Sequence, residues 1–254
     1  MNSSARTLVV VATYNEIENL PRLTDEIFVH APDAQVLVID DNSPDGTGRW
    51  SDQRAGQDDR VHCIHRPAKL GLGTATVAGF RYALSSNFDL VITMDADFSH
   101  HPTYLPQLRR ALEPEGREPV DVAVGSRYVR GGGVEGWPWY RRLMSRGVNW
   151  YARLALGLSV ADCSGAFRCY RTEVLRRLDL DSLRSQGYSY LEEILWVLQR
   201  QGARFNEIPI LFVDRKLGQT KISWYEVLTS LVVILKLGGC RLFRMGAGAG
   251  RDVS

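Results

Sequence analysis

Five short apolar runs, separated by stretches with helical spacing, constrain this chain most. They are Thr7-Leu8-Val9-Val10-Val11-Ala12, Gln35-Val36-Leu37-Val38-Ile39, Val61-His62-Cys63-Ile64-His65, Leu90-Val91-Ile92-Thr93-Met94 and Val120-Asp121-Val122-Ala123-Val124. Runs this short and this rich in β-branched residues read as strands rather than buried helices. The first, second and fourth are almost continuously apolar, as strands buried on both faces are. Between them the spacing predicts helices over about 16–29, 47–55, 69–85 and 104–112. Ile17, Leu20, Leu23 and Ile27 give the first helix its apolar stripe. Ala75, Ala78, Gly79 and Ala83 let the third approach a sheet closely. Strands and helices in alternation imply an α/β layer fold, with a mostly parallel central sheet flanked by helices. Ligands of such sheets bind at the carboxyl ends of the strands.

Acids and cations stand at those ends. Asp40-Asp41 follows the second run, and Asp95-Ala96-Asp97 follows the fourth. In extended chain Asp95 and Asp97 share a side. Two hard oxygen donors there suit Mg²⁺ or Mn²⁺, especially an ion shared with substrate phosphates. A lone D-x-D is more often a strand end with a capped turn, so the remaining residues must decide. Arg127 follows the fifth run, and Arg215 and Lys221 lie in a polar loop. Each alone is more often a solvated surface charge. Together with a divalent ion they would neutralise a nucleoside diphosphate.

Other chemistries find less support. Gly71-x-Gly73 lacks the third glycine of a dinucleotide fingerprint. His62, His65, His100 and His101 have no Cys or His at zinc-finger spacing. There is no G-x-S-x-G elbow. A net charge of +2 gives no basic field for nucleic acid, and no nucleic-acid partner is expected. Four cysteines without a C-x-x-C pair fit a reduced compartment. The amino terminus goes straight into a strand-like run with no signal-peptide core. No uninterrupted apolar run reaches the ~20 residues a spanning helix needs.

After Arg127 the pattern changes. Gly131-Gly132-Gly133 reads as a flexible break. A basic, aromatic-rich helix is expected from Trp139 to about Leu156, and another over 190–201 with Glu192 and Glu193. Residues 205–210 read as an edge strand, because Pro209 cannot donate to a ladder. A last helix over 224–237 carries Val227, Leu228, Leu231, Val232, Ile234 and Leu235 beside a narrow polar stripe. It is too short to span a bilayer but suited to lie in its interface. The expected division is a catalytic domain over 1–222, an interfacial helix over 223–238 and a disordered tail over 239–254.

Taken together, Ala12-Thr13-Tyr14-Asn15-Glu16, Asp40-Asp41-Asn42-Ser43-Pro44-Asp45-Gly46-Thr47, Leu70-Gly71-Leu72-Gly73-Thr74-Ala75, Asp95-Ala96-Asp97-Phe98-Ser99-His100-His101-Pro102, Gly125-Ser126-Arg127-Tyr128 and Asp214-Arg215 with Lys221 form a collinear set. That set resembles the dolichyl-phosphate (polyprenyl-phosphate) mannose synthases among the inverting family 2 glycosyltransferases. The resemblance implies a GT-A nucleotide-sugar-binding fold and a metal-dependent transfer. The donor would be GDP-mannose and the acceptor a polyprenyl or dolichyl monophosphate. It implies that Ala12, Tyr14, Glu16, Ile39 and Asp41 surround the guanosine. Asp95, Ala96 and Asp97 would lie at the metal and diphosphate, with Ser99 where some relatives carry a Gln ligand. Arg127 and Arg141 would face phosphate, including the acceptor's, and Arg215 and Lys221 would close over the donor. The departures are Ala12 for Pro, Asn42 for Gly, Gln219-Thr220 for Glu-Ser and Leu191 for Gln. A lipid acceptor implies a peripheral protein on the cytoplasmic face of a membrane, with a membrane-embedded partner as one way of holding it there. Two other readings stay open: a UDP-glucose donor, and a nucleotide-sugar-binding regulator without catalysis.

Overall fold

The structure is a computed structural model that describes residues 5–183, 185, 187 and 189–215. Lys221, the helix expected over 224–237 and the expected tail lie outside the described residues. The chain runs β1 (Thr7–Thr13), α1 (Leu20–His30), β2 (Gln35–Asp40), α2 (Thr47–Ala55), β3 (Val61–His65), α3 (Leu72–Ser85) and β4 (Leu90–Asp95). A 3₁₀ turn (Pro102–Tyr104) leads into α4 (Leu105–Arg110), followed by β5 (Val122–Ser126), β6 (Gly133–Glu135) and α5 (Trp139–Leu156). Then come β7 (Arg168–Arg171), α6 (Thr172–Arg176), α7 (Tyr190–Arg200), β8 (Phe205–Pro209) and β9 (Leu211–Val213).

Seven strands form one sheet in the order β3-β2-β1-β4-β7-β5-β8. All its pairings are parallel except those of β7, which lies antiparallel between β4 and β5. β8 is an edge, and Pro209 pairs only at its last position, opposite Ser126. The period of two expected of a buried strand is visible in β1. Leu8 and Val10 join a core with Phe80 of α3 and Ile194 of α7. Val9 and Val11 join one with Leu23 of α1 and Leu105 of α4. The sheet is therefore the middle of three layers.

Where α3 crosses the sheet, Gly79 is required by space. A Cβ there would meet Val10 Cγ1 at 2.5 Å. The sequence expectation of close packing by small residues is met at that residue. The glycine run at 131–133 departs from expectation. Gly131 takes φ +91°, a turn that feeds β6 rather than a break, and β6 pairs in parallel with β9. This two-stranded ribbon ends at Val213, so it delivers Asp214 and Arg215 to the carboxyl end of the large sheet.

The chain passes from β1 outward through β2 and β3, then returns to the other side of β1 as β4. The sheet therefore has its switch point between β1 and β4, where a crevice opens beyond the carboxyl ends. Register sets Ile39, Ala12 and Asp95 side by side in that row.

Candidate active site

Two cavities open at this end of the sheet and meet. The first is lined by Ala12, Tyr14, Glu16, Asp41, Lys69 and Ala96, among others. The second is lined by Arg127, Trp137, Arg141, Leu191, Glu192 and Phe212, among others. Asp95 and Arg215 line both, so these two side chains form the seam.

The first cavity is built by loops after β1, β2 and β3. Asn15 and Asn42 take φ 57° and 59°, left-handed values that Asn tolerates better than most residues. Asn15 N–H donates to Ser43 Oγ at 3.0 Å and Glu16 N–H to Thr47 Oγ1 at 3.0 Å, which ties the two loops together. These bonds hold residues 14–19 in a turn, so α1 begins at Leu20 rather than at the expected Glu16. Asp41 is buried against Arg66, whose Nε donates to its Oδ1 at 2.5 Å. Arg66 also donates to Thr74 Oγ1 at 2.6 Å and to the Gly71 carbonyl at 3.1 Å. It thus anchors the glycine loop where Gly71 turns at φ +94°. Lys69 lies 5.1 Å over the Tyr14 ring. Ile39 differs from the other residues expected around a nucleoside. Its side chain is wholly buried in the core, because the pleat points it into the sheet layer.

At the seam, the β4 carboxyl end is held in a strained turn. Phe98 takes φ 61°, which costs a bulky residue about 1–2 kcal/mol. Ser99 compensates by donating its N–H and its hydroxyl to Asp97 Oδ1, at 3.0 and 2.5 Å. It is 1% exposed and lies behind Asp97, fixing that carboxylate. Asp97 Oδ2 pairs with Arg215 Nη2 at 3.1 Å. His100 is buried and stacked on Phe167, and its Nδ1 accepts from the Asp95 N–H at 3.2 Å. Burial lowers its pKa and favours the neutral ring. Its 3.5 Å contact with Asp95 Oδ2 is then no ion pair. Burial, reinforced by Asp97, raises the Asp95 carboxyl, while Arg215 and Arg127 oppose the rise. As a donor set, two carboxylates one residue apart at an open strand end fit a hard divalent cation. Asp95 keeps about a third of its side chain exposed to the crevice, which leaves it free to ligate.

In the second cavity Arg127 is only 7% exposed. Its Nε and Nη2 donate to the two oxygens of Asp162 at 2.7 Å each, and Nη2 also reaches Ser164 Oγ at 2.8 Å. Burial alone would raise the Asp162 carboxyl, but the Arg127 guanidinium overrides it and holds the group below its ordinary value. Arg141 pairs with Asp214 at 3.1 Å and lies 4.1 Å over the Trp137 ring. Glu192 is buried in the first turn of α7, and burial pushes its carboxyl up to about 7.

Of the residues singled out from the sequence, Ala12, Tyr14, Glu16, Asp41, Ala96, Asp95, Asp97 and Arg215 meet in the first cavity. Arg127, Arg141, Asp95 and Arg215 meet in the second. Sequence reasoning missed Arg66, His100, Trp137 and Asp162. His100 carried one usable signal, its place in the turn after Asp97. Asp162 bonds an arginine 35 positions away and carried none.

The expectation of no histidine metal site at zinc-finger spacing leaves, among the described residues, one grouping that only the fold creates. Asp52, Cys63 and His65 place ligand atoms within 4.8 Å of one another on α2 and the edge strand β3. His65 Nε2 is already bonded to Asp52 at 2.7 Å, and burial pushes the Cys63 thiol up to about 12. The thiolate a metal requires is scarce there at neutral pH.

The family model for glycosyl transferase family 2 matches residues 8–179. The undecaprenyl-phosphate mannosyltransferase of Micrococcus luteus is 42% identical over 233 residues, covering 92% of this chain and 94% of its own. The polyprenol monophosphomannose synthase of Mycolicibacterium smegmatis is 41% identical over 234 residues, covering 92% and 87%. Among solved structures, glucosyl-3-phosphoglycerate synthase from Mycobacterium tuberculosis, with Mn²⁺, UDP and glucosyl-3-phosphoglycerate, superposes with a TM-score of 0.62 at 20% identity, covering 92% of this chain and 81% of that one. A mannosyltransferase from Pyrobaculum calidifontis, with GDP-Man and Mn²⁺, gives 0.58 at 16% identity, covering 96% and 65%. At such identities the likeness speaks for the shared fold.

Proposed function

The chain belongs to glycosyltransferase family 2, and from that premise we propose that it transfers mannose from GDP-mannose to a polyprenyl monophosphate with inversion. One observation carries the reading: the two cavities share Asp95 and Arg215. A nucleoside in the first cavity sets its diphosphate at the seam. An acceptor phosphate in the second meets Arg127 and Arg141. The two mannosyltransferase relatives, at 41–42% identity, support both the sugar and the lipid phosphate.

Asp95 and Asp97 would hold Mg²⁺ or Mn²⁺, a role supported by Mn²⁺ with UDP in the mycobacterial synthase of this fold. Bound there, the ion supplies charge neutralisation for the leaving diphosphate. Ser99 holds the Asp97 carboxylate in place, and His100 anchors the Asp95 backbone. Ala12, Tyr14, Glu16 and Asp41 bind the nucleoside, with Ile39 supporting them from the core. Arg215, and Lys221 from outside the described residues, bind the donor phosphates. Arg127, fixed by Asp162, and Arg141 orient the acceptor phosphate for in-line attack. A phosphate monoester is largely ionised at neutral pH, its second pKa being about 6. It therefore needs orientation more than a strong base, and catalysis comes from alignment and charge.

A lipid acceptor calls for a membrane surface, and α5 offers one. Asn149, Ala152 and Leu156 face the core, while Trp139, Leu143, Trp150 and Leu154 are exposed beside exposed Arg142, Arg146 and Arg153. No helix among the described residues is long and apolar enough to cross a membrane. The reading is peripheral attachment on the cytoplasmic face, where nucleotide sugars are supplied.

The test is release of GDP from GDP-mannose dependent on polyprenyl phosphate and divalent cation, with UDP-glucose in parallel. Asp97→Ala should lose at least a thousandfold in kcat with an unchanged circular dichroism spectrum. Near-normal turnover in that variant removes the metal role, and preference for UDP-glucose removes the donor assignment.

A further inference from the structure

Two residues that line the second cavity each carry a buried polar atom unpaired among the described residues. Glu192 is 3% exposed, and its Oε2 has no hydrogen-bond partner among the described residues. Trp137, just before α5, is 7% exposed, and its indole Nε1 has no partner among those residues either. They come from different elements, yet both residues line the same space. Buried polar groups are nearly always paired, so two orphans in one cavity point to an occupant that completes them.

Three ligand chemistries could enter here. An isoprenoid chain has no polar atom and would leave both orphans unpaired. A phosphate could accept from the indole and from a protonated Glu192, but it repels the ionised carboxylate, and its natural partners Arg127 and Arg141 line the same cavity. A hydroxyl both donates and accepts, so it pairs with an indole N–H and with a carboxyl in either protonation state. We propose that Glu192 and the Trp137 indole read hydroxyls of the sugar carried by the nucleotide, and so determine which hexose is transferred.

This deepens the nucleotide-sugar reading above and rests on it. The seam explains how the sugar arrives. A diphosphate held at Asp95 and Arg215, with its nucleoside in the first cavity, projects its sugar into the second. The charges around Glu192 are consistent with a reader that works in both protonation states. Burial raises its carboxyl to about 7, Arg168 and Arg127 pull it down, and Asp162 pushes it up. Arg141, Asp95, His100, Asp214 and Arg215 line the same cavity.

The experiment is calorimetric titration of the full chain with GDP-mannose and with GDP, both with divalent cation, for wild type, Glu192→Gln, Glu192→Leu and Trp137→Phe. GDP affinity should stay within about twofold throughout. GDP-mannose affinity should fall at least tenfold in Glu192→Leu, less in Glu192→Gln, and severalfold in Trp137→Phe. Discrimination between GDP-mannose and GDP-glucose should narrow in parallel. Equal GDP-mannose affinity in wild type and Glu192→Leu overturns the proposal. So does an equal loss for GDP and GDP-mannose, which marks a structural effect, and so does an unchanged sugar increment with a raised KM for the lipid phosphate. If wild type binds GDP-mannose in this pattern but transfers nothing to polyprenyl phosphate, the acceptor reading fails and the sugar subsite stands.

Discussion

Removing one member of the Arg127–Asp162 pair leaves a charge without its counter-ion inside the protein. Asp162 is fully buried and also accepts the Arg127 N–H at 2.9 Å. Asp162→Ala should therefore cost about 3–5 kcal/mol, read as a lowered urea midpoint at pH 7. Glu192 predicts the opposite sign of charge effect. Its carboxyl rises from an ordinary 4.5 to about 7 on folding. The folded state then holds that proton more tightly, so its contribution is fully present below pH 4.5 and is lost as pH rises through 7. The shift corresponds to roughly 3 kcal/mol at 1.36 kcal/mol per unit. Glu192→Gln does not titrate, so its stability relative to wild type should improve by about that amount between pH 4 and pH 8.5. Urea melts of both proteins at the two pH values measure it. Asp95 and Asp97 were legible in the sequence as acids that follow a buried apolar run, although β4 ends at Asp95 and it is the turn, not extended strand, that places Asp97. Asp162 and Trp137 were not legible, because their roles depend on partners that only tertiary structure supplies.

Elements with strong local signals were the most legible. α2 and β3 occupy the expected ranges, since turn residues bound them on both sides. β5 lies two residues beyond its expected start, because Asp121 and Val122 N–H both bond the Arg204 carbonyl before the ladder begins. The packing of α3 on the sheet gives a direct test. Gly79→Ala would gain about 1 kcal/mol of helix propensity in isolation. Here the added methyl meets a stiff, buried Val10 at 2.5 Å. Overpacking of this kind costs about 1–3 kcal/mol, so the net change should be a loss of up to about 2 kcal/mol in thermal or urea denaturation.

At the scale of the whole molecule, α5 turns its aromatic residues outward, which periodicity alone could not assign to core or surface. If this face meets anionic lipid, each arginine beside it contributes about 1 kcal/mol. Replacing Arg142, Arg146 and Arg153 together with Gln should weaken partitioning into anionic vesicles roughly a hundredfold in a flotation assay, with circular dichroism unchanged. Flotation that ignores the substitution would assign attachment to another surface or a partner protein. The antiparallel strand β7 has a different consequence, in the order of assembly. β1 to β4 pair among themselves within the first 95 residues. β5 has no ladder until β7 and β8 arrive, with Ala123 opposite Cys169 and Val124 opposite Glu207. Pairings of such sequence separation form late. As the chain leaves the ribosome, its nucleotide half can therefore take shape first. Arg127 and Glu192 gain their places only once β7 and β8 bring β5 into the sheet, so the two cavities come to share a seam in the later, long-range part of folding.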